Sequence, residues 1–188
     1  MKTLVGARVV VRDLRAGDLP VLVGYRRDPS VARYQSWTTD FDLTAAQALL
    51  AGQQAPSSDT GSDRLTPPAG AWRQLAIADG RSDALLGDAA VHTLADQPDT
   101  YEIGITMALA NQGRGLAREA LTLVCDELFG AVGAHRVIAE ADDRNGAVHR
   151  TLEALDLRLE GRFVDADWCK GEWTTLRCYA VLAEEWRA

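Results

Sequence analysis

Cysteine is scarce, limited to Cys125, Cys169 and Cys178 among 188 residues. An odd number without C-x-x-C spacing supplies neither a disulfide framework nor a thiol-redox pair. Cys125 shares an apolar helix face with Leu121 and Leu128, and Cys178 sits in an alternating strand, so both read as core thiols. Cys169, between Trp168 and Lys170 in an expected loop, is the one cysteine placed for reactivity. Histidine is as sparse: His92, His135 and His149 stand far apart without ligand spacing, and no metal is expected. No apolar run approaches the roughly 20 residues needed to cross a bilayer. The stretch Met1 to Gly6 lacks an apolar signal core and a small-residue cleavage site, so no membrane partner and a cytoplasmic location are expected. Positive charge is also short, 20 Lys and Arg against 27 Asp and Glu, net −7. That balance argues against nucleic acid as a partner and suits a cationic substrate such as an amine.

What is present suits one soluble domain spanning residues 1–188. A chain this long can bury roughly 70% of its unfolded surface, enough for a core without disulfides or metal. The segment Ala7 to Leu14, dense in β-branched residues, reads as a strand. A helix follows with Asp18 as N-cap, interrupted at Asp28-Pro29, and a second opens at Leu43-Thr44 and ends at Gly52. The run Ala55 to Gly70 (APSSDTGSDRLTPPAG) has little to bury and reads as a flexible loop, either a solvated linker or a lid over a substrate. Strands are expected over Trp72–Ala78 and Ala84–His92, a hairpin, and over Tyr101–Met107. An amphipathic helix spans Leu116–Phe129. Then come a strand Arg136–Ala141, a helix Asn145–Leu155 and two antiparallel strands, Arg158–Asp165 and Trp173–Leu182. The order β-α-α-β-β-β-α-β-α-β-β defines a mixed α/β sheet without internal repeats.

The stretch Ala110-Asn111-Gln112-Gly113-Arg114-Gly115-Leu116-Ala117-Arg118-Glu119-Ala120 carries the most chemistry. A strand runs into a glycine-rich turn, and the turn runs directly into a helix. Gly113 and Gly115 permit positive φ and close approach of a ligand to the backbone. The first N–H groups of a helix lack intrahelical partners, and the helix dipole adds partial positive charge there. Together these features bind phosphate, with Arg114 as a cation at the mouth. The motif is neither G-x-x-x-x-G-K-[ST] nor G-x-G-x-x-G, which sets nucleotide triphosphates and dinucleotides aside.

The spacing Gln112-x-x-Gly115-x-Ala117 resembles the [RQ]-x-x-G-x-[GA] pyrophosphate loop of the GCN5-related N-acetyltransferases. The resemblance covers nearly the whole chain and is closest to the ribosomal-protein alanine acetyltransferases, the RimJ/RimL-like branch. Tyr101-Glu102-Ile103-Gly104 precedes the loop and Glu119-Ala120 follows it. Asn145 opens the helix after Val137-Ile138-Ala139-Glu140-Ala141. Leu155-Asp156-Leu157-Arg158-Leu159-Glu160-Gly161-Arg162 and Lys170-Gly171-Glu172-Trp173 match further family passages. The resemblance implies a mostly antiparallel central sheet, splayed between its middle strands, often through a bulge, with helices on both faces. It implies acetyl-CoA as acyl donor, no metal, direct transfer to an amine, and a homodimer.

By position, the resemblance assigns Ile105, Met107 and Leu109 to the border of the pantetheine arm and the backbone of Gln112, Gly113, Arg114, Gly115, Leu116 and Ala117 to the pyrophosphate. Asn145 would touch the pantetheine; it is equally a plain helix N-cap, and the two roles are compatible. An ammonium has no lone pair, so a base must take its proton. Glu102 is the candidate, a structural carboxylate being the alternative. A backbone N–H near Met107 or Ala108 would stabilise the oxyanion. Tyr34 and Trp37, with Trp168, Gly171 and Trp173, could wall the acceptor pocket or simply pack. One departure stands out: Val148 occupies the place where relatives often carry a proton-donating hydroxyl. That departure keeps open an alternative, a catalytically weak CoA-binding sensor or assembly protein of the same fold. The acceptor, a peptide N-terminus or a small amine, is not set by the fold.

Overall fold

The computed structural model describes residues 2–54 and 65–186. Eight strands form one sheet: β1 (Leu4–Val5), β2 (Val9–Asp13), β3 (Trp72–Asp79), β4 (Leu85–Thr93), β5 (Thr100–Met107), β6 (Arg136–Asp142), β7 (Arg158–Cys169) and β8 (Glu172–Leu182). Their spatial order is β1-β2-β3-β4-β5-β6-β8-β7, with every neighbouring pair antiparallel except β5–β6. The helices are α1 (Leu19–Arg26), α2 (Pro29–Ala32), α3 (Leu43–Gln54), α4 (Leu116–Glu127) and α5 (Gly146–Glu153). The mixed α/β sheet and most element positions match the sequence reading.

Alternation along the strands builds a core on each side of the sheet. Leu75, Ile77, Val91, Ile103, Val137 and Tyr179 point to one face, where Leu116, Ala120, Leu121, Val124 and Cys125 of α4 and Leu152 of α5 cover them. On the other face, Leu22 and Tyr25 of α1 and Ala46 of α3 pack with Ala76 and Leu85. The α4 stripe is buried as its spacing dictates, which accounts for Cys125 as a core thiol whose pKa burial pushes upward.

Several boundaries differ from expectation. Asp18 does not cap α1; its carboxylate grips the Arg12 guanidinium at 2.7 and 3.0 Å, both side chains being buried. Asp28 does cap α2, accepting from the Ser30 N–H at 2.8 Å. Helix α3 continues past Gly52 to Gln54, since a side-chain-free residue on an open face weakens a helix by only about 1 kcal/mol. After Glu127 the α4 helix widens into a looser turn, Leu128–Val132, rather than running on regularly to Phe129. Strand β7 extends to Cys169, so this thiol ends a strand instead of lying in a loop. Of the expected flexible segment, residues 55–64 lie outside the described residues. The remainder is anchored: Leu65 is buried in the α4-side core, and Thr93 Oγ1 donates to Pro67 O at 2.8 Å.

Among the described residues, no helix is long and apolar enough to cross a membrane, and no group of three His, Cys, Asp or Glu side chains could hold a metal.

Candidate active site

Strand β5 pairs with β6 only through Thr100↔Arg136, Tyr101↔Val137 and Glu102↔Ile138. Beyond Glu102 the two separate, because each is held by its other neighbour. β5 stays with β4 to Met107↔Gly87, and β6 stays with β8 to Asp142↔Leu176. The splay needs no bulge in the central strand: the β4–β5 register runs unbroken from Gly87 to Thr93. The Ala108 N–H donates to Leu86 O at 3.0 Å. Since strand N–H groups alternate in direction, those of Ile103, Ile105 and Met107 point the opposite way, toward the gap. This leaves Ala108 engaged and Met107 as the remaining oxyanion candidate.

A slot of about 90 Å³ fills the gap, bounded by Ile103, Gly104 and Ile105 of β5, Ala139 to Asp142 of β6, Leu121 of α4, and Asn145, Val148 and Leu152 of α5. On the α1–α3 side it meets a larger cavity of about 490 Å³. Gly104, Ile105, Glu140 and Tyr34 border both. The sheet is thus perforated where its middle strands part.

At the C-terminal end of β5, the chain passes through a short helical turn, Leu109–Asn111, into the glycine turn. Gly113 and Gly115 adopt φ of +69° and +74°, a region that penalises any side chain. Three side chains fasten this turn from behind. Gln112 Nε2 donates to Met107 O at 3.1 Å, and Asn111 Nδ2 donates to Leu86 O at 3.1 Å. Arg8 donates to the carbonyls of Arg114 and Gly115 at 2.9 and 3.3 Å while its Nε contacts Glu119 at 2.7 Å. Glu119 also accepts from the Arg8 N–H at 2.7 Å. Burial works against this carboxylate's ionisation, but the hydrogen bonds from Arg8 and Val9 prevail and hold its pKa below the usual range. With the turn carbonyls drawn back toward Arg8, the first N–H groups of α4 are left for an anion.

Glu102 is the last residue of β5 paired with β6, and it lines the larger cavity. Its Oε2 lies 3.3 Å from His92 Nδ1, and the His92 ring stacks on Trp72 with centroids 4.7 Å apart. Burial raises the Glu102 pKa; the His92 contact opposes this, and the nearby Glu140 charge reinforces it. Under the same cavity, buried Asp88 accepts from Arg26 Nη2 at 2.9 Å and from Tyr25 Oη and Gln74 Nε2. Trp37 lies flat against that guanidinium, 4.0 Å from its ring centre, and donates its indole N–H to Arg26 O at 3.2 Å.

Glu102, Ile105, Tyr34, Trp37 and Asn145 therefore border the slot or the cavity, as does Val148. Asn145 also caps α5, its side chain accepting from the Val148 N–H. Met107 is buried, Leu109 is 53% exposed, and neither side chain lines either space. Leu116 is buried in the α4-side core, so only its backbone faces the turn. Ala117 packs partly against the same core, and Arg114 is exposed with Nη1 3.1 Å from Asn111 Oδ1. Neither alternative to Val148 is placed to donate a proton there. His149 is buried and stacked 5.6 Å from the Tyr179 ring, and the fully buried Tyr179 hydroxyl faces Glu153. Sequence reasoning missed Arg8, His92, Asp88 and Glu140. Asp88 and His92 left a trace, as polar positions in a largely apolar strand.

The sheet is thus splayed beside a glycine turn at a helix N-terminus and opens into a cavity lined by charged side chains of both signs. The family model "Acetyltransferase (GNAT) domain" matches residues 8–158, and the chain belongs to this family as an N-acetyltransferase. It is similar to the uncharacterized N-acetyltransferase p20 of Bacillus licheniformis, 23% identical over 186 residues covering 99% of each chain. Its fold is shared with a GNAT-family acetyltransferase from Bacillus anthracis (TM-score 0.82, 22% identity, covering 98% of this chain and 100% of that one). It is shared also with Mycobacterium smegmatis RimJ in complex with CoA-disulfide (TM-score 0.78, 21% identity, covering 96% and 84%). Enzymes of this family draw acetyl groups from acetyl-CoA and act on amines.

Proposed function

We propose that this chain transfers the acetyl group of acetyl-CoA directly to a primary amine, with Glu102 as the base, in the manner of the RimJ-like branch. The observation that carries the reading is the slot between β5 and β6, which runs from Leu121 of α4 and Val148 and Leu152 of α5 to the cavity beside Glu102. The residues fit the donor. The N–H groups at the start of α4 suit its pyrophosphate. The free edge of β5 at Ile103, Ile105 and Met107 suits its amide-bearing arm as an added strand. Asn145, beside the slot, is within the same wall. Acetyl-CoA supplies an activated acyl carbon; the chain's own groups do the rest.

The acceptor enters the larger cavity, between Tyr34 and Trp37 on one side and β5 on the other. Glu102 takes the ammonium proton, directly or through water, and frees the nitrogen lone pair. The nitrogen then attacks the acyl carbon to give a tetrahedral oxyanion, the nitrogen sheds its extra proton to water, and the oxyanion collapses as the C–S bond breaks and the thiolate departs. Val148 offers it no proton, so water supplies one; a thiolate leaves readily without a protein acid. The Met107 N–H is the donor aimed at the oxyanion. The chain acts in the cytoplasm, a reading supported by three cysteines left as free thiols.

The test is release of coenzyme A thiol from acetyl-CoA in the presence of a panel of primary amines and peptide N-termini. Amine-dependent release that Glu102→Gln abolishes while acetyl-CoA still binds supports the reading. Release independent of every amine would reduce the chain to a thioesterase, and the reading would fall.

A further inference from the structure

We propose that Glu140 selects acceptors carrying a second positive charge, so that short diamines are preferred over monoamines of the same length. The inference rests on the acyl-transfer reading for the location of the acceptor, and it deepens that reading. Glu140 and Glu102 project from the same sheet face, since Glu102 pairs with Ile138 and Glu140 lies two residues farther along β6. Two residues of rise along β6 combined with the spacing between strands puts the two positions at least roughly 8 Å apart, too far to serve one nitrogen and suited to two joined by a short alkyl chain. Between them β5 offers Gly104, which leaves the floor of the cavity open.

The charge inventory singles out Glu140. Asp142 and Glu172 pair with Arg144 at 2.7 and 2.9 Å. Asp167 accepts from Thr174 Oγ1 at 3.4 Å, and Glu102 contacts His92. Glu140 is exposed on the cavity wall, and no ion pair or hydrogen bond engages its carboxylate among the described residues. The cations do not compete for it. Arg26 is held by Asp88, Arg144 by its two carboxylates, and Lys170 donates to Ala32 O at 2.5 Å. Arg33 lies over the Tyr34 ring at the rim, 5.2 Å from its centre. From β8, Cys178 faces Glu140 as its register partner, and its thiol pKa is pushed up by burial and then by the Glu140 charge. Two carboxylates that repel across an open floor are relieved together by a dication, whereas a monoamine relieves one.

The experiment is calorimetric titration of diaminobutane and of butylamine into the protein saturated with coenzyme A, at low salt. Acetylation of both amines by acetyl-CoA is followed separately. The wild type should bind diaminobutane about tenfold more tightly than butylamine. Glu140→Gln should collapse that ratio to near one, and Glu140→Asp should restore most of it. Equal binding of the two amines by the wild type, or a preference that survives Glu140→Gln, overturns the inference. Binding that follows the expected pattern without acetylation would uphold Glu140 as the selector while removing the acyl-transfer reading, so the two failures are distinct.

Discussion

A carboxylate acts as a base only while ionised, so the burial that raises the Glu102 pKa has a kinetic signature. As pH falls through that raised value, the protonated fraction grows and the rate declines. The acidic limb of kcat/KM should therefore lie at higher pH than for an exposed glutamate. Replacing Glu140 by Gln removes one of the two influences that raise it, and the limb should move to lower pH. Glu102→Gln should lower kcat roughly 10²–10⁴-fold, the usual contribution of a general base, with acetyl-CoA affinity retained. A pH profile with an ordinary carboxylate limb, or a variant of full activity, would assign the proton to another group. Glu102 was reached as a candidate base through the family resemblance, which places a carboxylate at this point of the central strand. Its companion Glu140 was not, since nothing local says that β5 and β6 part company after only three pairs.

Two ties matter at the scale of elements. The first joins β2 to the glycine turn through Arg8, which holds two turn carbonyls and Glu119. The Arg8 side chain is 53% exposed, so its contribution to stability should be modest, about 1 kcal/mol. Its effect on the site should be larger. Arg8→Ala should weaken acetyl-CoA binding about tenfold, as two released carbonyls compete with the anion for the same space. Titration calorimetry checks this, and unchanged affinity would mean that the turn holds its shape alone. The second tie joins α1 to β4 through Asp88, which is fully buried and receives Arg26, Tyr25 and Gln74. Asp88→Ala strands the buried Arg26 charge and should cost about 3–5 kcal/mol in urea denaturation. A loss below about 1 kcal/mol would show that water reaches the guanidinium.

Those same elements show where sequence reasoning reached and where it stopped. The 3.6-residue stripe of α4 reported burial directly, because it has a single face to hide, whereas β3 and β4, covered on both faces, bury consecutive residues. The glycine turn was readable because positive φ needs glycine. Arg8 and Asp88 were not, since their partners lie 106 and 62 residues away in the chain. Asp18 does not cap α1 because its carboxylate turns back to the buried Arg12 guanidinium and the Arg15 N–H.

On the scale of the whole molecule, the sheet works as a partition that opens between β5 and β6. Helix α4, proposed to meet the donor, lies on one face, and the cavity proposed for the acceptor lies on the other beneath α1 to α3. In the proposed reaction, reactants bound from opposite faces would meet in the gap beyond Glu102, oriented without a moving part. The central claim, that the glycine turn and slot receive acetyl-CoA, is tested most directly by thermal unfolding with and without it. At about 100 times its dissociation constant the ligand adds roughly 2.7 kcal/mol, a rise of several degrees for a domain of this size. The account predicts that rise in the wild type and its loss in Gly115→Trp, whose side chain would occupy the turn at φ +74°. No rise in the wild type, or the same rise in both proteins, would contradict it.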